Sequence, residues 1–332
     1  FGSSHWPKSL RRRSRFGAAA MEGEPPPLRI GLIADIQHAD IPDGSSDYGA
    51  ARHYRDATAK ARLAAADWRA AGCAFAVNLG DTVDRRGGGD APAALQRVFA
   101  ALAGFAPIVH IPGNHDFSAL GDEELAMVNP VRCLEGLDAI SGPGWYCDIR
   151  PGPGWRVLVI DTYDVCVHRD AAAAQEVRGL LRAQARARSR PSQHLTAHQE
   201  LNGAVGAEQL AWVRSRLTVA SEAQEQMVVL AHAALHIDAT CYGDALCWNW
   251  EEVSGLLDAF PHVVAAVITG HDHYGGSATS AGGIHHRVLE AALEGAVGAP
   301  THAVLELRGR AVRLAGRGNV RSWAQDVPNS KQ

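Results

Sequence analysis

The feature that most limits how this chain can fold is a repeated one: short apolar runs that stop abruptly at polar residues. In the sharpest case Phe75–Leu79 runs into Gly80-Asp81-Thr82-Val83-Asp84, which sets two carboxylates three residues apart at the end of a buried-strand pattern. Gly-Asp after a strand is also ordinary turn chemistry, so this stretch decides nothing by itself. The construction recurs, however. Leu28–Ala34 ends in Asp35-Ile36-Gln37, Pro107–Ile111 in Pro112-Gly113-Asn114-His115-Asp116, Met227–Leu230 in Ala231-His232, and Val263–Ile268 runs on to Gly270-His271-Asp272-His273. In open α/β sheets, ligands gather outside the carboxyl ends of the strands. Five such ends point to one shared site.

The sequence between them is helical. His53–Ala71 is alanine-rich and free of proline, which predicts a helix closed by Gly72, and a second helix is expected over Ala91–Ala103. Strand, helix, strand, helix, strand implies parallel strands joined by right-handed crossovers. Further on, Trp155–Ile160 reads as a strand, Ala207–Leu217 and Trp250–Ala259 as helices, and His285–Leu289, Thr301–Leu307 and Ala311–Leu314 as strands. No repeat or linker interrupts residues 28–320, so a single α/β domain of layered α/β/β/α type is expected. Residues 171–202, rich in Ala, Gln and Arg, read as a helical insertion, and 321–332 as a C-terminal tail.

Residues 1–27 differ. Arg11, Arg12, Arg13 and Arg15 stand among Ser, Gly and Ala, and Pro25-Pro26-Pro27 closes the segment. This is the composition of a disordered leader, and a transit peptide for organelle import looks the same. The net charge of -4 gives no global case for a nucleic-acid or membrane partner. No run approaches the ~18 apolar residues of a transmembrane helix. The six cysteines are scattered without Cys-x-x-Cys spacing, which suits reduced thiols and a cytoplasmic location. A monomer is the expectation for oligomeric state. Histidine, at 16 residues, is the unusual count, and it favours a metal site.

A lone histidine such as His232 after an apolar run is ordinarily a satisfied structural residue. His271 and His273 carry more weight, because residues i and i+2 of an extended segment point the same way. The order and spacing of Asp35-Ile36-Gln37, Gly80-Asp81, Gly113-Asn114-His115-Asp116, His232 and Gly270-His271-Asp272-His273 resemble the calcineurin-like metallophosphoesterase superfamily. That pattern is Asp-x-His, Gly-Asp, Gly-Asn-His-Asp/Glu, His and Gly-His-x-His, and Gln37 departs from it. Ala34–Gln37 followed by Ala39–Gly44 is similar to the manganese-dependent ADP-ribose/CDP-alcohol diphosphatase family. So are His53-Tyr54-Arg55, Cys247–Glu252, Gly270–Gly276 and Gly283–Glu290.

The resemblance implies an α/β/β/α metallophosphoesterase sandwich and two divalent ions, Mn²⁺ with Mg²⁺ as the alternative. It implies that Asp81 bridges the two, that Asp35, Gln37 and His273 hold one, and that Asn114, His232 and His271 hold the other. An amide oxygen at Gln37 still suits a hard ion. A hydroxide shared by the metals would attack phosphorus in line. His115 would stabilise charge or protonate the leaving oxygen, oriented by Asp84; a solvated turn acid is the other reading of Asp84. The implied substrates are nucleoside diphosphate-linked small molecules. ADP-ribose would yield AMP and ribose 5-phosphate, and CDP-choline would yield CMP and phosphocholine.

Arg55 and Arg85 are candidates for phosphate contact, because guanidinium meets phosphate with a bidentate fork; surface placement is the alternative for both. Trp248, Asn249 and Trp250 are candidates for the base or ribose pocket, with core packing equally open for the tryptophans. Tyr48 and His236 complete the substrate-side candidates. Two rival readings stand beside the diphosphatase: a phosphomonoesterase or protein phosphatase, suggested by Gly80–Arg85, and a metal-free binding scaffold on the same fold.

Overall fold

Leu28–Ile33 divides its side chains between two layers: Ile30 and Leu32 enter a core between two sheets, while Ile33 faces a layer of helices. The computed structural model describes residues 26–187 and 200–326. Residues 1–25, 188–199 and 327–332, which fall in the expected leader, insertion and tail, lie outside the described residues.

The first sheet has six strands in the order Trp323–Asp326, Ala311–Arg317, His302–Arg308, Leu28–Ile33, Phe75–Asn78 and Ile108–His110. Its last three strands run parallel, as the strand-helix-strand pattern requires, and His302–Arg308 joins them antiparallel. The second sheet has seven, in the order Gly276–Thr279, His285–Val288, Val264–Thr269, Gln226–Leu230, Trp155–Val159, Cys147–Gly152 and Ala139–Ser141. Its four strands from His285–Val288 to Trp155–Val159 are parallel. Phe75, Val77 and Leu305 from one sheet meet Val157, Val228 and Ile268 from the other in the buried middle layer.

Helices cover the outer faces. Ala57–Ala71 and Ala91–Leu102 pack on the first sheet, and Ala207–Glu222 and Trp250–Asp258 on the second, so the expected α/β/β/α layering is present. The helix expected from His53 begins at Ala57. The four residues before it are held elsewhere: His53 donates its backbone N–H to Leu293, and the Tyr54 carbonyl accepts from His38 Nδ1 at 2.8 Å. The 171–202 insertion contains the helix Ala171–Ala187. The expected tail is partly a strand, because Trp323–Asp326 pairs with Ala311–Arg317 and the Trp323 ring stacks on His285 at 4.1 Å. No described helix is long and apolar enough to cross a membrane.

Loops leaving the parallel strands of both sheets meet at one end. Gln37 N–H donates to the Asp81 carbonyl at 2.8 Å, and Ala292 and Leu293 donate to the carbonyls of Ala34 and Asp35 at 2.9 and 3.0 Å. The first strand is itself seated closely. Trp68 is fully buried, and its ring lies where a Cβ on Gly31 would stand 2.5 Å away. Overpacking of this kind costs about 1–3 kcal/mol. Gly31→Ala is therefore expected to lower the urea midpoint of unfolding, and an unchanged midpoint would remove this account of the Trp68 seat.

Candidate active site

All seven residues expected as metal ligands come together where the two sheets' loops meet. His232 Nε2 lies 3.6 Å from Asp81 Oδ1, His273 Nε2 lies 3.6 Å from Asp35 Oδ1, and Gln37 Nε2 lies 3.1 Å from Asp81 Oδ2. His271 donates its backbone N–H to Asp35 Oδ2 at 3.0 Å, and Asn114 lines the same cavity. The backbone is bent to achieve this. Asp35, Gln37, Asp81 and His271 have φ of 52°, 42°, 53° and 71°, a left-handed conformation that costs a non-glycine residue roughly 1–2 kcal/mol. Gly80, at φ 114°, has no such penalty, and a Cβ there would stand 2.3 Å from His232 Nδ1.

The hydrogen bonds of the three histidines fix which nitrogen is free. His232 Nδ1 donates to the Leu79 carbonyl at 2.8 Å, His271 Nε2 to Asn202 Oδ1 at 2.9 Å, and His273 Nδ1 to Glu294 Oε1 at 2.8 Å. Each remaining nitrogen is then a lone pair facing inward. His232 Nε2 and His271 Nδ1 confront each other at 3.2 Å. Neither ring is poised to supply a proton: burial pushes the His232 imidazole below its usual range, and burial followed by the His232 neighbour pushes His271 down to about 3.

Oxygens complete the set. Asp35 Oδ1, Gln37 Oε1 and Asn114 Oδ1 are buried without a hydrogen-bond partner. The Gln37 amide turns Nε2 toward Asp81 and His273; a half-turn of its terminal torsion would present Oε1 in the same direction. Burial, then the nearby Asp81, raises the Asp35 carboxyl well above the carboxylate range. Burial also acts to raise Asp81, but His232, His115 and His271 outweigh it and leave that carboxyl lowered. Inward lone pairs, unpartnered oxygens and a shared carboxylate form a donor set that fits hard divalent cations. Among the described His, Cys, Asp and Glu residues, Asp81, His232 and His271 offer ligand atoms within 4.8 Å of one another.

His115 is placed differently. Its backbone N–H donates to Asp81 Oδ1 at 2.8 Å, and its Nδ1 lies 3.2 Å from Asp84 Oδ2 and 3.2 Å from the Arg85 amide. The Arg85 N–H donates to Nδ1 in this geometry, so Asp84 stands beside the ring as a charge rather than as a hydrogen-bond acceptor. Burial acts to lower the His115 imidazole, and Asp81 and Asp84 outweigh it, so the ring holds its proton above the usual histidine range. Asp116 stabilises the loop behind: its oxygens accept from the N–H groups of Thr82, Val83 and Gly113 at 2.9, 3.2 and 3.0 Å. Burial, then Asp81, pushes its carboxyl up to about 7.

The site opens into a cavity of about 320 Å³. Tyr48 and Arg85 line it, as expected. Five other substrate-side expectations are corrected. Arg55 lies on the surface, paired with Asp40 at 2.6 Å. Trp248 is buried with Ala174 and Ala204 because its helix-leading loop folds inward. Asn249 is buried too, pinning both the N–H and the carbonyl of Val205 at 2.9 Å. His236 and Trp250 pack against each other, rings 6.0 Å apart, outside the cavity lining. In their place stand Arg52, Arg86 and Tyr242, which carry no periodic or motif signal. Asn202 and Glu294, which orient His271 and His273, were equally unmarked in the sequence.

Residues 28–275 match the calcineurin-like phosphoesterase family. A crystal structure of a dimetal phosphatase from Danio rerio superposes with a TM-score of 0.78 at 28% identity, over 92% of this chain and all of that one. The chain belongs to the calcineurin-like phosphoesterases. An Arabidopsis thaliana manganese-dependent ADP-ribose/CDP-alcohol diphosphatase is 31% identical over 92% of this chain and 98% of its own length, and a human one is 26% identical over 88% and 90%. Within the superfamily, the chain is a member of the manganese-dependent ADP-ribose/CDP-alcohol diphosphatase family.

The orientation of His271 by Asn202 has a measurable consequence. Removing such a partner typically weakens metal binding about 10–100-fold. Asn202→Ala is expected to do so in a titration with Mn²⁺, and unchanged affinity would show that the His271 tautomer is set by something else.

Proposed function

We propose that this enzyme hydrolyses the pyrophosphate bond of ADP-ribose and CDP-alcohols, releasing a nucleoside monophosphate and a phosphorylated small molecule, with manganese as cofactor. The observation that carries the reading is the confrontation of the His232 and His271 lone pairs beside Asp81, with unpartnered oxygens on the neighbouring Asp35 and Asn114 and the Gln37 amide against Asp81. Asp35, Gln37 and His273 would hold one ion, Asn114, His232 and His271 the other, and Asp81 both. Two divalent ions supply Lewis acidity for the phosphoryl oxygens and a nucleophile at neutral pH.

The chain's own groups do the rest. His115, its imidazole raised by Asp81 and Asp84, is placed to give a proton to the oxygen that leaves. Arg85 and Arg86 reach the cavity from the turn after Asp84, and Arg52 from the other side; a guanidinium matches phosphate oxygens with paired N–H donors. Among the described residues Arg85 has no carboxylate partner, so its charge is available to substrate. The names of the relatives do not favour the phosphomonoesterase alternative.

Purified protein with Mn²⁺ should release AMP from ADP-ribose and CMP from CDP-choline, identified chromatographically. If neither nucleotide appears, the reading is wrong. Two substitutions separate the acids of the Gly80–Asp84 turn. Asp81→Asn is expected to abolish metal retention, whereas Asp84→Asn should keep the metal content and lower kcat by roughly 10²-fold, the scale of a misplaced general acid. Equal metal loss in both variants would undo that division of roles.

A further inference from the structure

Glu294 is buried beside the site, with 8% of its side chain exposed, and one of its oxygens takes three donors. His273 Nδ1 donates to Oε1 at 2.8 Å, the Tyr48 hydroxyl at 2.5 Å and Arg52 Nε at 3.3 Å. These donors belong to different halves of the site. His273 turns its other nitrogen toward Asp35 and Gln37, while Tyr48 and Arg52 line the cavity where substrate must lie. The backbone around Glu294 is stitched to both halves as well. Leu293 N–H donates to the Asp35 carbonyl and Ala291 N–H to that of His273, at 3.0 and 3.2 Å, while the Leu293 carbonyl accepts from His53 N–H at 3.0 Å. Tyr48, anchored through its hydroxyl, sets its ring 5.8 Å from Tyr242 and 5.1 Å from Tyr274, which builds the aromatic wall of the mouth.

We propose that Glu294 is a positioning residue that serves both halves of the reaction site with one charge, fixing His273 toward the metal centre and holding Tyr48 and Arg52 in the substrate wall. The proposal rests on the dimetal hydrolase reading above. Its physical basis is that hydrogen bonds to an ionised acceptor are about twice as strong as neutral ones. A neutral amide of the same shape would keep the packing and weaken all three bonds together. Metal affinity and substrate affinity therefore depend on a residue that touches neither ligand.

The test uses two readouts on the full chain: Mn²⁺ binding without substrate, followed by the electron paramagnetic resonance signal of free Mn²⁺, and KM for ADP-ribose at saturating Mn²⁺. Glu294→Gln is expected to weaken Mn²⁺ binding about 10–100-fold and to raise KM as well. Tyr48→Phe, which keeps the ring and removes the donor, should raise KM while leaving Mn²⁺ affinity within about twofold. In the Glu294→Gln background the Tyr48→Phe effect on KM should largely vanish, because contacting residues in one network are not additive. A Glu294→Gln variant that shifts only one readout, or KM effects that multiply in the double variant, would overturn the proposal. If Glu294→Gln does not fold, Glu294→Asp, which withdraws the charge by one methylene, carries the same readouts. Should the wild type leave ADP-ribose intact, the functional reading falls by itself; Mn²⁺ titration and calorimetric binding of AMP then test the role of Glu294 independently.

Discussion

Three acceptors that face one another in a confined space repel unless a cation stands among them. Asp81 Oδ1, His232 Nε2 and His271 Nδ1 are such a group, spaced at 3.6 and 3.2 Å at the cavity floor. Burial pushes both imidazoles toward the unprotonated form, so they relieve the carboxylate less than exposed histidines would. The arrangement is stable only because the surroundings over-determine it. Outer bonds from Leu79 and Asn202 hold the rings, and backbone bonds between the Asp35 and Asp81 turns hold the acids. The left-handed turns at Asp35, Gln37, Asp81 and His271 store strain in the same place.

That constraint explains the fold's division of labour. Two sheets, packed through Phe75, Val77, Val157 and Val228, aim their parallel strand ends at one point. Helices on both outer faces keep those strands buried, which is the condition under which parallel strands persist. The residues proposed to hold the ions divide the same way: Asp35, Gln37, Asp81 and Asn114, with oxygen and amide groups, come from the first sheet, and the imidazoles of His232, His271 and His273 from the second. The site is therefore assembled only when the sheets are in register with each other. Asp116 secures the first half of that register by tying the Asp81 turn to the Gly113 turn.

The convergence of the candidate metal residues was legible in the sequence because each of them sits just past an apolar run, and strand ends are what hydrophobic patterning marks best. The substrate side was not. Arg52, Arg86, Tyr242 and Glu294 come from loops whose approach to the cavity is set by tertiary packing, which no local period records. The tryptophans misled for a related reason: an aromatic near a site fits either a pocket or a core, and the inward turn at Asn249 commits Trp248 to the core. The helix start moved from His53 to Ala57 because backbone bonds to Leu293 and His38 compete with helical ones. Trp323–Asp326 became a strand because an exposed edge at Ala311–Arg317 offered it a partner.

The placement of His115 shows how the same turn serves two purposes. Asp84 is fully buried, and a buried carboxylate is tolerated only with a paired charge and hydrogen bonds. It accepts from the Arg86 amide at 2.7 Å, and its other oxygen faces His115. His115 in turn has Asp81 on one side and Asp84 on the other, so its cationic form neutralises two acids at once. Giving up the proton leaves both acids less compensated, and for that reason the two carboxylates raise the ring above its usual range. With Nδ1 occupied by the Arg85 N–H and carboxylates on both sides, the ring is placed to act through its charge rather than as a ligand.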